Sequence, residues 1–437
     1  MTHSPTGSEA LAALQAGNFA GCQRLDLSAN LTHVPPEIFD LADSLEILNL
    51  SGNQLKLLPD DFTKLRKLRI LFCSENQFSQ LPEVLGACPQ LSMIGFKSNQ
   101  IDLIPEAALP ASLRWLILTD NRLKAIPGTI GYCAKLQKLM LAGNQLTDLP
   151  AAMAACTELE LLRLAANRFE NFPPWLFKLP RLAWLGLGGN PATAAPAPAN
   201  RRLLDWEEFH VLSKLGEGAS GVIYHACWKA PNAGTHIDVA VKIFRGLMTS
   251  DGLPESEIAT SLMLPAHPSL IGMIGEICNH PSGQRALVMP LIDGAFTTLA
   301  SPPDLETCTR DVFPSGLDIP ISTLHRMALD LASLGHHFHQ QGIMHGDFYA
   351  HNILWDHSGK CLLGDMGASS FYPAQSPAAK IEVCAFGILL GELLDRATGD
   401  QSFIDSLRAV QQLCMNENTT SRPSFADLQT AIKSLSL

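Results

Sequence analysis

The sequence lacks several features that would assign it to a particular class of protein. Its eleven cysteines include no CxxC pair and no compact cluster with histidine, which argues against a zinc module. No apolar run approaches the roughly 18 residues that a membrane-spanning helix needs. The N-terminal stretch has neither a basic segment nor a long apolar core, so it does not resemble a secretory signal. We therefore expect a cytoplasmic chain with reduced thiols.

An excess of positive charge is also absent. The formal net charge is −11, and residues 1 to 200 hold 16 basic and 17 acidic side chains, whereas the remainder holds 15 and 25. A nucleic-acid-binding protein normally concentrates lysine and arginine on one face, so no nucleic-acid partner is expected. With 437 residues, 46% of them hydrophobic, the chain has material for two or three globular domains.

The first half contains a repeat. Asparagines recur at intervals of 22 or 23 residues, and each closes a segment such as "LEILNLSGNQLKLLP" or "LQKLMLAGNQLTDLP". The pattern LxxLxLxxNxLxxLP resembles that of the leucine-rich repeat family, with eight copies in register over residues 22 to 190. The eight asparagines are Asn30, Asn53, Asn76, Asn99, Asn121, Asn144, Asn167 and Asn190.

The repeat period predicts the architecture of this half. Each repeat supplies a short strand whose leucines point inward, and stacked repeats share one continuous core. The resemblance implies a solenoid of short parallel strands with an irregular or helical convex side. Each asparagine side chain is predicted to satisfy backbone groups where the chain leaves its strand. Residues 1 to 21, with helical spacing in "EALAALQAGNF", are predicted to cap the open end.

The strand position before each inward leucine is mostly apolar and is predicted to face the concave surface. We expect an exposed apolar strip there that binds a partner protein or the chain's own second domain, with the two tryptophans as anchors. The preference of aromatic and β-branched residues for strands is the alternative explanation. The eight residues are Arg24, Ile47, Ile70, Met93, Trp115, Lys138, Leu161 and Trp184.

A run of proline and alanine, "NPATAAPAPANRR", ends the repeats and predicts a linker at residues 191 to 204. Beyond it, "GEGASGV" fits GxGxxGxV between two β-rich segments, which favours a glycine-rich hairpin over phosphates rather than a dinucleotide fold. "VAVKIF" places Lys242 on a strand. Its predicted partner is Glu257, with Glu255 as the fallback, on a helix formed by "PESEIATSLML". "HPSLIGMIG" and "ALVMPLI" predict further strands and a hinge.

Four more motifs follow in order: "HGDFYAHN", "GDMGAS", "EVCAFGILLGELL" and "SRPSFADL". In this order, residues 205 to 437 resemble a eukaryotic-type protein kinase domain, an α+β fold of two lobes. The resemblance implies ATP and Mg²⁺ as cofactors and a protein substrate, with serine/threonine specificity favoured. It assigns catalysis to Asp347, Lys242 and Asn352, and metal binding to Asn352 and Asp365. The nucleotide-binding positions that it implies are Gly216, Gly218, Gly221, Val222, Ala240, Lys242, Glu257, Met289, Leu291 and Ile292.

The sequence departs from the kinase pattern in and after this loop. Gly346 stands where kinases carry arginine, and Tyr349 stands where serine/threonine kinases carry lysine. Only 17 residues separate Asp365 from Glu382, and Arg422 lacks its customary acidic partner. Little dependence on phosphorylation of this short segment is expected. Alternatives are a small-molecule phosphotransferase of the aminoglycoside or choline type, which shares the HGDxxxxN loop, and a pseudokinase scaffold. Retention of the catalytic lysine and both aspartates favours an active kinase.

Overall fold

The computed structural model describes residues 7–194, 202–218, 220–230, 236–246, 248–249, 251–277, 279–372 and 376–435. The chain divides into two compact units. Met1–Leu162 with Asn167–Leu179 form the first, and Arg163–Ala166 with Pro180–Leu437 form the second. The domain boundaries at 1–21, 22–190, 191–204 and 205–437 stay a prediction, and residues 195–201 of the expected linker lie outside the described residues. The last repeat, from Pro180 onward, is counted with the second unit.

The repeat region begins with helix α1 (Ser8–Gln15), in the segment predicted to cap the repeats. One short strand per repeat follows, and these strands are parallel neighbours in chain order, which confirms the predicted solenoid. The strands are β1 (Arg24–Asp26), β2 (Ile47–Asn49), β3 (Ile70–Phe72), β4 (Met93–Gly95), β5 (Trp115–Ile117), β6 (Lys138–Met140), β7 (Leu161–Arg163) and β8 (Trp184–Gly186). Short 3₁₀ helices occupy the returning side at Pro36–Leu41, Asp60–Lys64, Glu83–Ala87, Glu106–Ala108, Gly128–Tyr132, Ala151–Ala155 and Leu176–Lys178.

Seven of the eight repeated asparagines, from Asn53 to Asn190, make the backbone hydrogen bonds that the pattern predicted. The amide nitrogen of Asn121 donates to the carbonyl oxygens of Phe96 at 2.9 Å and Leu118 at 3.1 Å. Its amide oxygen accepts from the backbone N–H of Ile101 at 2.9 Å. One side chain thereby joins neighbouring repeats at a point where strand pairing has ended and the backbone groups would otherwise be unsatisfied.

The expected exposure of the strip is wrong for four of its eight residues, which are buried. Trp115 is half-buried, with the ammonium of Lys138 4.0 Å from its ring centroid. Neighbouring repeat strands pair in register, with Ile47 opposite Ile70. Side chains at the same position of adjacent strands therefore cover one another. The four members that are at most 3% exposed are Ile70, Met93, Leu161 and Trp184.

The second unit contains a six-stranded sheet of β9 (Leu203–Leu204), β10 (Phe209–Glu217), β11 (Gly221–Lys229), β12 (His236–Phe244), β13 (Gly275–Ile277) and β14 (Ala286–Pro290), in the order β10-β11-β12-β14-β13-β9. The strand predicted for "HPSLIGMIG" begins only at its last residue, because Ile271 donates its backbone N–H to Leu363 instead of joining this sheet. Helix α2 (Pro254–Met263) lies between β12 and β13 in the chain.

The rest of the second unit is mainly helical. Thirteen of the sixteen residues of helix α4 are buried, so this helix forms the centre of the helical core. Within the described part of the chain, no helix combines the length and apolar character needed to cross a bilayer. The elements are β15 (Thr297–Thr298), β16 (Ile319–Pro320), α3 (Ile321–Gln340), β17 (Ile343–Met344), β18 (Ile353–Trp355), β19 (Cys361–Leu363), β20 (Ser370–Phe371), α4 (Ala379–Leu394), β21 (Ala397–Thr398), α5 (Gln401–Cys414) and α6 (Phe425–Ser434).

Candidate active site

A buried ion pair joins the sheet of the second unit to helix α2. The ammonium of Lys242, on β12, lies 2.6 Å from a carboxylate oxygen of Glu257, and both side chains are at most 7% exposed. The same ammonium is 3.5 Å from Asp365 Oδ1. Glu255 instead faces Arg285 at 3.2 Å. The lysine therefore meets the glutamate that the sequence favoured, and the fallback residue lies elsewhere.

Burial and neighbouring charges act in opposite directions on these groups. Burial raises the pKa of Glu257 to about 7, against the opposing effect of the Lys242 ammonium. Burial also opposes the charge on Lys242, but Asp365 and Glu257 outweigh it and raise the pKa of the ammonium. At Asp365, desolvation is outweighed by Lys242 and the backbone N–H of Gly367, which lower the pKa of the carboxyl. Glu257 is thus the member whose charge changes near neutral pH.

The predicted glycine-rich hairpin is formed by β10 and β11. Glu217 pairs with Val222, and the backbone N–H of Gly218 donates to Gly221 O at 2.9 Å. A Cβ atom on Gly221 would lie 2.4 Å from Ile243 O, whereas one on Gly216 or Gly218 would meet nothing within 4 Å. Gly221 is therefore required for strand pairing, and the other two glycines have open space beside them.

The remaining predicted nucleotide positions lie on or next to the paired strands β12 and β14. Ala240 is 7% exposed and opposite Met289 in the strand register. Met289, Leu291 and Ile292 are half-buried, and β14 ends at Pro290 between them. The predicted hinge thus begins at the end of a strand and continues into the connecting segment.

The loop between β17 and β18 brings Asp347 and Asn352 together. The amide nitrogen of Asn352 donates to Asp347 O at 2.9 Å and to Asp347 Oδ2 at 3.2 Å. His345 is buried and bonded through Nε2 to the backbone oxygen of Gly364, the residue before Asp365. The two predicted catalytic motifs are therefore joined through a side chain of the first.

Asn352 and Asp365 present a donor set that fits Mg²⁺. The amide nitrogen of Asn352 makes both hydrogen bonds to Asp347. Its amide oxygen is therefore the atom that could bind a metal ion. The Asp365 side chain is 51% exposed, which leaves carboxylate oxygen accessible. An amide oxygen and a carboxylate are ligands that Mg²⁺ prefers, with water and phosphate oxygens completing its shell.

Sequence reasoning missed one residue of this site, Arg163 at the end of β7. One of its guanidinium nitrogens lies 2.6 Å from Asp347 Oδ1, and the side chain is 2% exposed. A second donates to Gly346 O at 3.2 Å, and Nε lies 2.9 Å from Asp251 Oδ1. A signal existed, because only Arg163 is basic among the residues that end the eight repeat strands. These are Asp26, Asn49, Phe72, Gly95, Ile117, Met140, Arg163 and Gly186.

Two more departures from the kinase pattern have structural reasons. Gly346 has φ +74°, and a Cβ atom there would lie 2.7 Å from the carbonyl oxygens of Leu185 and Ala368. No other residue fits without displacement of the backbone. Arg422, which lacks an acidic partner, instead donates to the backbone oxygens of Asn416, Lys380 and Pro180.

Tyr349, at the position of the missing lysine, has a packing role. Its ring stacks on Trp184 with centroids 4.1 Å apart and planes 7° from parallel. The indole nitrogen of Trp184 also donates to Phe348 O at 3.4 Å. An aromatic pair therefore holds the middle of the loop where a cation was expected.

Two family models match the chain. The model described as protein tyrosine and serine/threonine kinase matches residues 209–388, and the leucine-rich repeat model matches residues 21–78 and 111–169.

Curated relatives match over less than half of the chain. A probable cyclin-dependent serine/threonine-protein kinase of Dictyostelium discoideum is 26% identical over 39% of this chain and 24% of its own length. A probable serine/threonine-protein kinase of Arabidopsis thaliana is 27% identical over 38% of this chain and 21% of its own length. Cyclin-dependent kinase B2-2 of Arabidopsis thaliana is 26% identical over 46% of this chain and 61% of its own length. The chain thus spans less than two thirds of each of these relatives.

Proposed function

Because the chain joins leucine-rich repeats to a protein kinase domain, we propose that it transfers the γ-phosphoryl group of ATP to serine or threonine hydroxyls of a protein. The observation that supports this most is that two groups of residues needed for phosphoryl transfer are already assembled. Lys242 contacts Glu257 and Asp365, and Asn352 orients Asp347. The similarity to proteins named as probable serine/threonine-protein kinases favours that specificity.

In this proposal, each residue performs one part of an in-line displacement. Lys242, fixed by Glu257, binds the α- and β-phosphates, and the glycine-rich hairpin covers them with backbone N–H groups. Asp347 orients the substrate hydroxyl and takes its proton as the oxygen bonds to the γ-phosphorus. The bond from that phosphorus to the bridging oxygen breaks, and ADP leaves. Asn352 and Asp365 would hold Mg²⁺, which would supply neutralisation of the phosphate charge.

We also assign recognition of a protein partner to the repeats. Stacked repeats present an extended surface to one side of the chain, and such surfaces suit macromolecules better than metabolites. This assignment favours a protein substrate over the small-molecule alternative that shares the HGDxxxxN loop. A cytoplasmic location for this activity stays a prediction.

The test is incubation of the full chain with labelled ATP and Mg²⁺ in the presence of generic proteins, choline or an aminoglycoside. Label is expected on protein, and Asp347→Asn and Lys242→Met should each lower transfer by about 100-fold or more. Lys229→Met is the matched control, because this lysine is exposed at the end of β11.

Three results would contradict the proposal. Label on choline or the aminoglycoside would favour the small-molecule class. Nucleotide binding without transfer to any acceptor would favour a scaffold. Wild-type turnover by Asp347→Asn would show that the reacting group has been misassigned.

A further inference from the structure

The contact between Arg163 and Asp347 places a buried cation on the carboxylate proposed to orient the substrate. Both residues belong to the second compact unit, although 184 positions separate them in the chain. Burial opposes the charge on Arg163, but Asp347 and Asp251 outweigh it and raise the pKa of the guanidinium. A buried charge of this kind persists only where its partners satisfy it in good geometry.

We propose that Arg163 is a positioning residue for phosphoryl transfer, supplying from a repeat strand the cation that the catalytic loop lacks. This inference rests on the proposed kinase function. The guanidinium holds two atoms of the loop at once, the Oδ1 atom of Asp347 and the backbone oxygen of Gly346. Bidentate contacts of a planar guanidinium fix orientation as well as distance.

The contact leaves the other parts of the site assembled. Arg163 engages Oδ1 of Asp347, while Oδ2 keeps its hydrogen bond from Asn352. Asp347 remains 16% exposed, and the ion pair between Lys242 and Glu257 is formed at 2.6 Å. A contact that blocks the reaction by distorting the site would be expected to break one of these arrangements. Their coexistence favours a supporting role.

One glycine makes room for this cation, and a second glycine excludes a cation from the loop itself. A Cβ atom on Gly186 would lie 2.9 Å from Cδ of Arg163, so any side chain there would displace the guanidinium. Gly346 cannot carry a side chain of its own, because the carbonyl oxygen of Leu185 occupies that space. The loop therefore excludes a cation at position 346, and the guanidinium of Arg163 instead contacts the backbone oxygen of this residue.

The test compares four variants of the full chain in the same transfer assay. Arg163→Met removes the charge with similar volume, Arg163→Lys restores a charge, and Gly186→Ala keeps the arginine but moves it. Arg168→Met is the matched control, since this arginine is exposed and only five positions away. We expect Arg163→Met to lower kcat about 10- to 100-fold while the KM for ATP changes less than about twofold. Arg163→Lys should recover part of kcat, and Gly186→Ala should lie between.

A double-mutant cycle separates positioning from structural support. Once Asp347→Asn has removed the carboxylate, Arg163→Met should cause little further loss of kcat. Higher kcat in Arg163→Met would overturn the inference by showing an inhibitory contact. If Arg163→Met lowered kcat by the same factor in the wild type and in the Asp347→Asn variant, the inference would also be overturned. That result would show that Arg163 only stabilises the fold. If the wild type is active and Arg163→Met leaves kcat unchanged, only this inference is refuted. If the wild type transfers no phosphate, the proposed function is refuted as well.

Discussion

Glu257 is a buried carboxylate whose charge depends on pH near neutrality. Its neighbour Lys242 needs a negative partner to stay in place beside the proposed phosphate site, at 2.6 Å from the carboxylate oxygen. Burial raises the pKa of Glu257 to about 7. Protonation in the range just below this value therefore weakens the ion pair while the lysine remains a cation.

We predict that kcat/KM for ATP falls as the pH falls through about 7, because this parameter follows ionisation in the free enzyme. Glu257→Gln should have low activity at pH 8 and should lack this acidic decline. Glu255→Gln is the matched control on the same helix, since that glutamate is exposed. If kcat/KM of Glu257→Gln still falls at acidic pH, the fall must come from the ionisation of another group. Stability has the opposite sign, because a carboxyl whose pKa is raised by folding favours the folded state at lower pH.

At the scale of elements, the described residues that follow Asp365, up to Tyr372, are held largely by packing. Ser369 and Ser370 are each 1% exposed and Tyr372 is 8% exposed. A phosphate would need to displace this packing to reach any of them, and Gly346 offers no cation to receive it.

We predict that phosphorylation of this segment is unnecessary for activity. Joint replacement by Ser369→Ala, Ser370→Ala, Tyr372→Phe and Ser376→Ala should change kcat no more than about threefold. Among the described residues, the hydroxyls of Ser370 and Tyr372 have no hydrogen-bond partner, so their removal should cost little stability. Mass spectrometry of the wild type should show no phosphate on these residues in the active preparation. A loss of about 100-fold in the joint variant would contradict the prediction.

The repeat region depends on hydrogen bonds between its asparagine side chains and the nearby backbone. We predict that Asn121→Ala destabilises the repeat region by about 2 kcal/mol or more, because it leaves buried backbone groups without partners. The check is urea unfolding followed by circular dichroism. Gln100→Ala is the control, since this side chain is exposed in the preceding repeat. Equal unfolding midpoints for the two variants would show that the asparagine bonds contribute little.

At the scale of the whole molecule, the repeat pattern and the compact units divide the chain at different places. The pattern continues to Asn190, whereas the second unit begins at Pro180 and also takes Arg163–Ala166. Trp184 illustrates the consequence. It was expected to anchor a contact with a partner protein or with the chain's own second domain, and it is 1% exposed and stacked on Tyr349 of the catalytic loop.

We predict that Trp184→Ala destabilises the second unit by about 3 kcal/mol or more, the usual cost of truncating a buried tryptophan. Trp115→Ala is the comparison, because that residue is only half-buried, and its effect should be smaller. Thermal unfolding with and without ATP and Mg²⁺ identifies the relevant transition as the one that nucleotide raises. Equal shifts for both tryptophans would show that the stack on Tyr349 adds nothing.

The sequence by itself determined the features that depend on local spacing. The repeat period predicted one strand and one asparagine per repeat, because each repeat folds from contacts with its immediate neighbours. The order of the motifs likewise predicted the hairpin, the strand of Lys242 and its pairing with Glu257, which involves adjacent elements. In each case, the partners lie close in the chain or follow from a repeating register.

Only the tertiary structure decided which side chains from distant segments meet. Arg163 looked like one strand residue among eight, and its contact with Asp347 spans 184 positions. Trp184 looked like a strand residue open to binding, yet the aromatic ring of Tyr349 covers it. A one-dimensional pattern specifies which face of a strand a residue occupies but not what packs against that face. The cation beside the catalytic carboxylate therefore became visible only when both strand and loop had been placed in space.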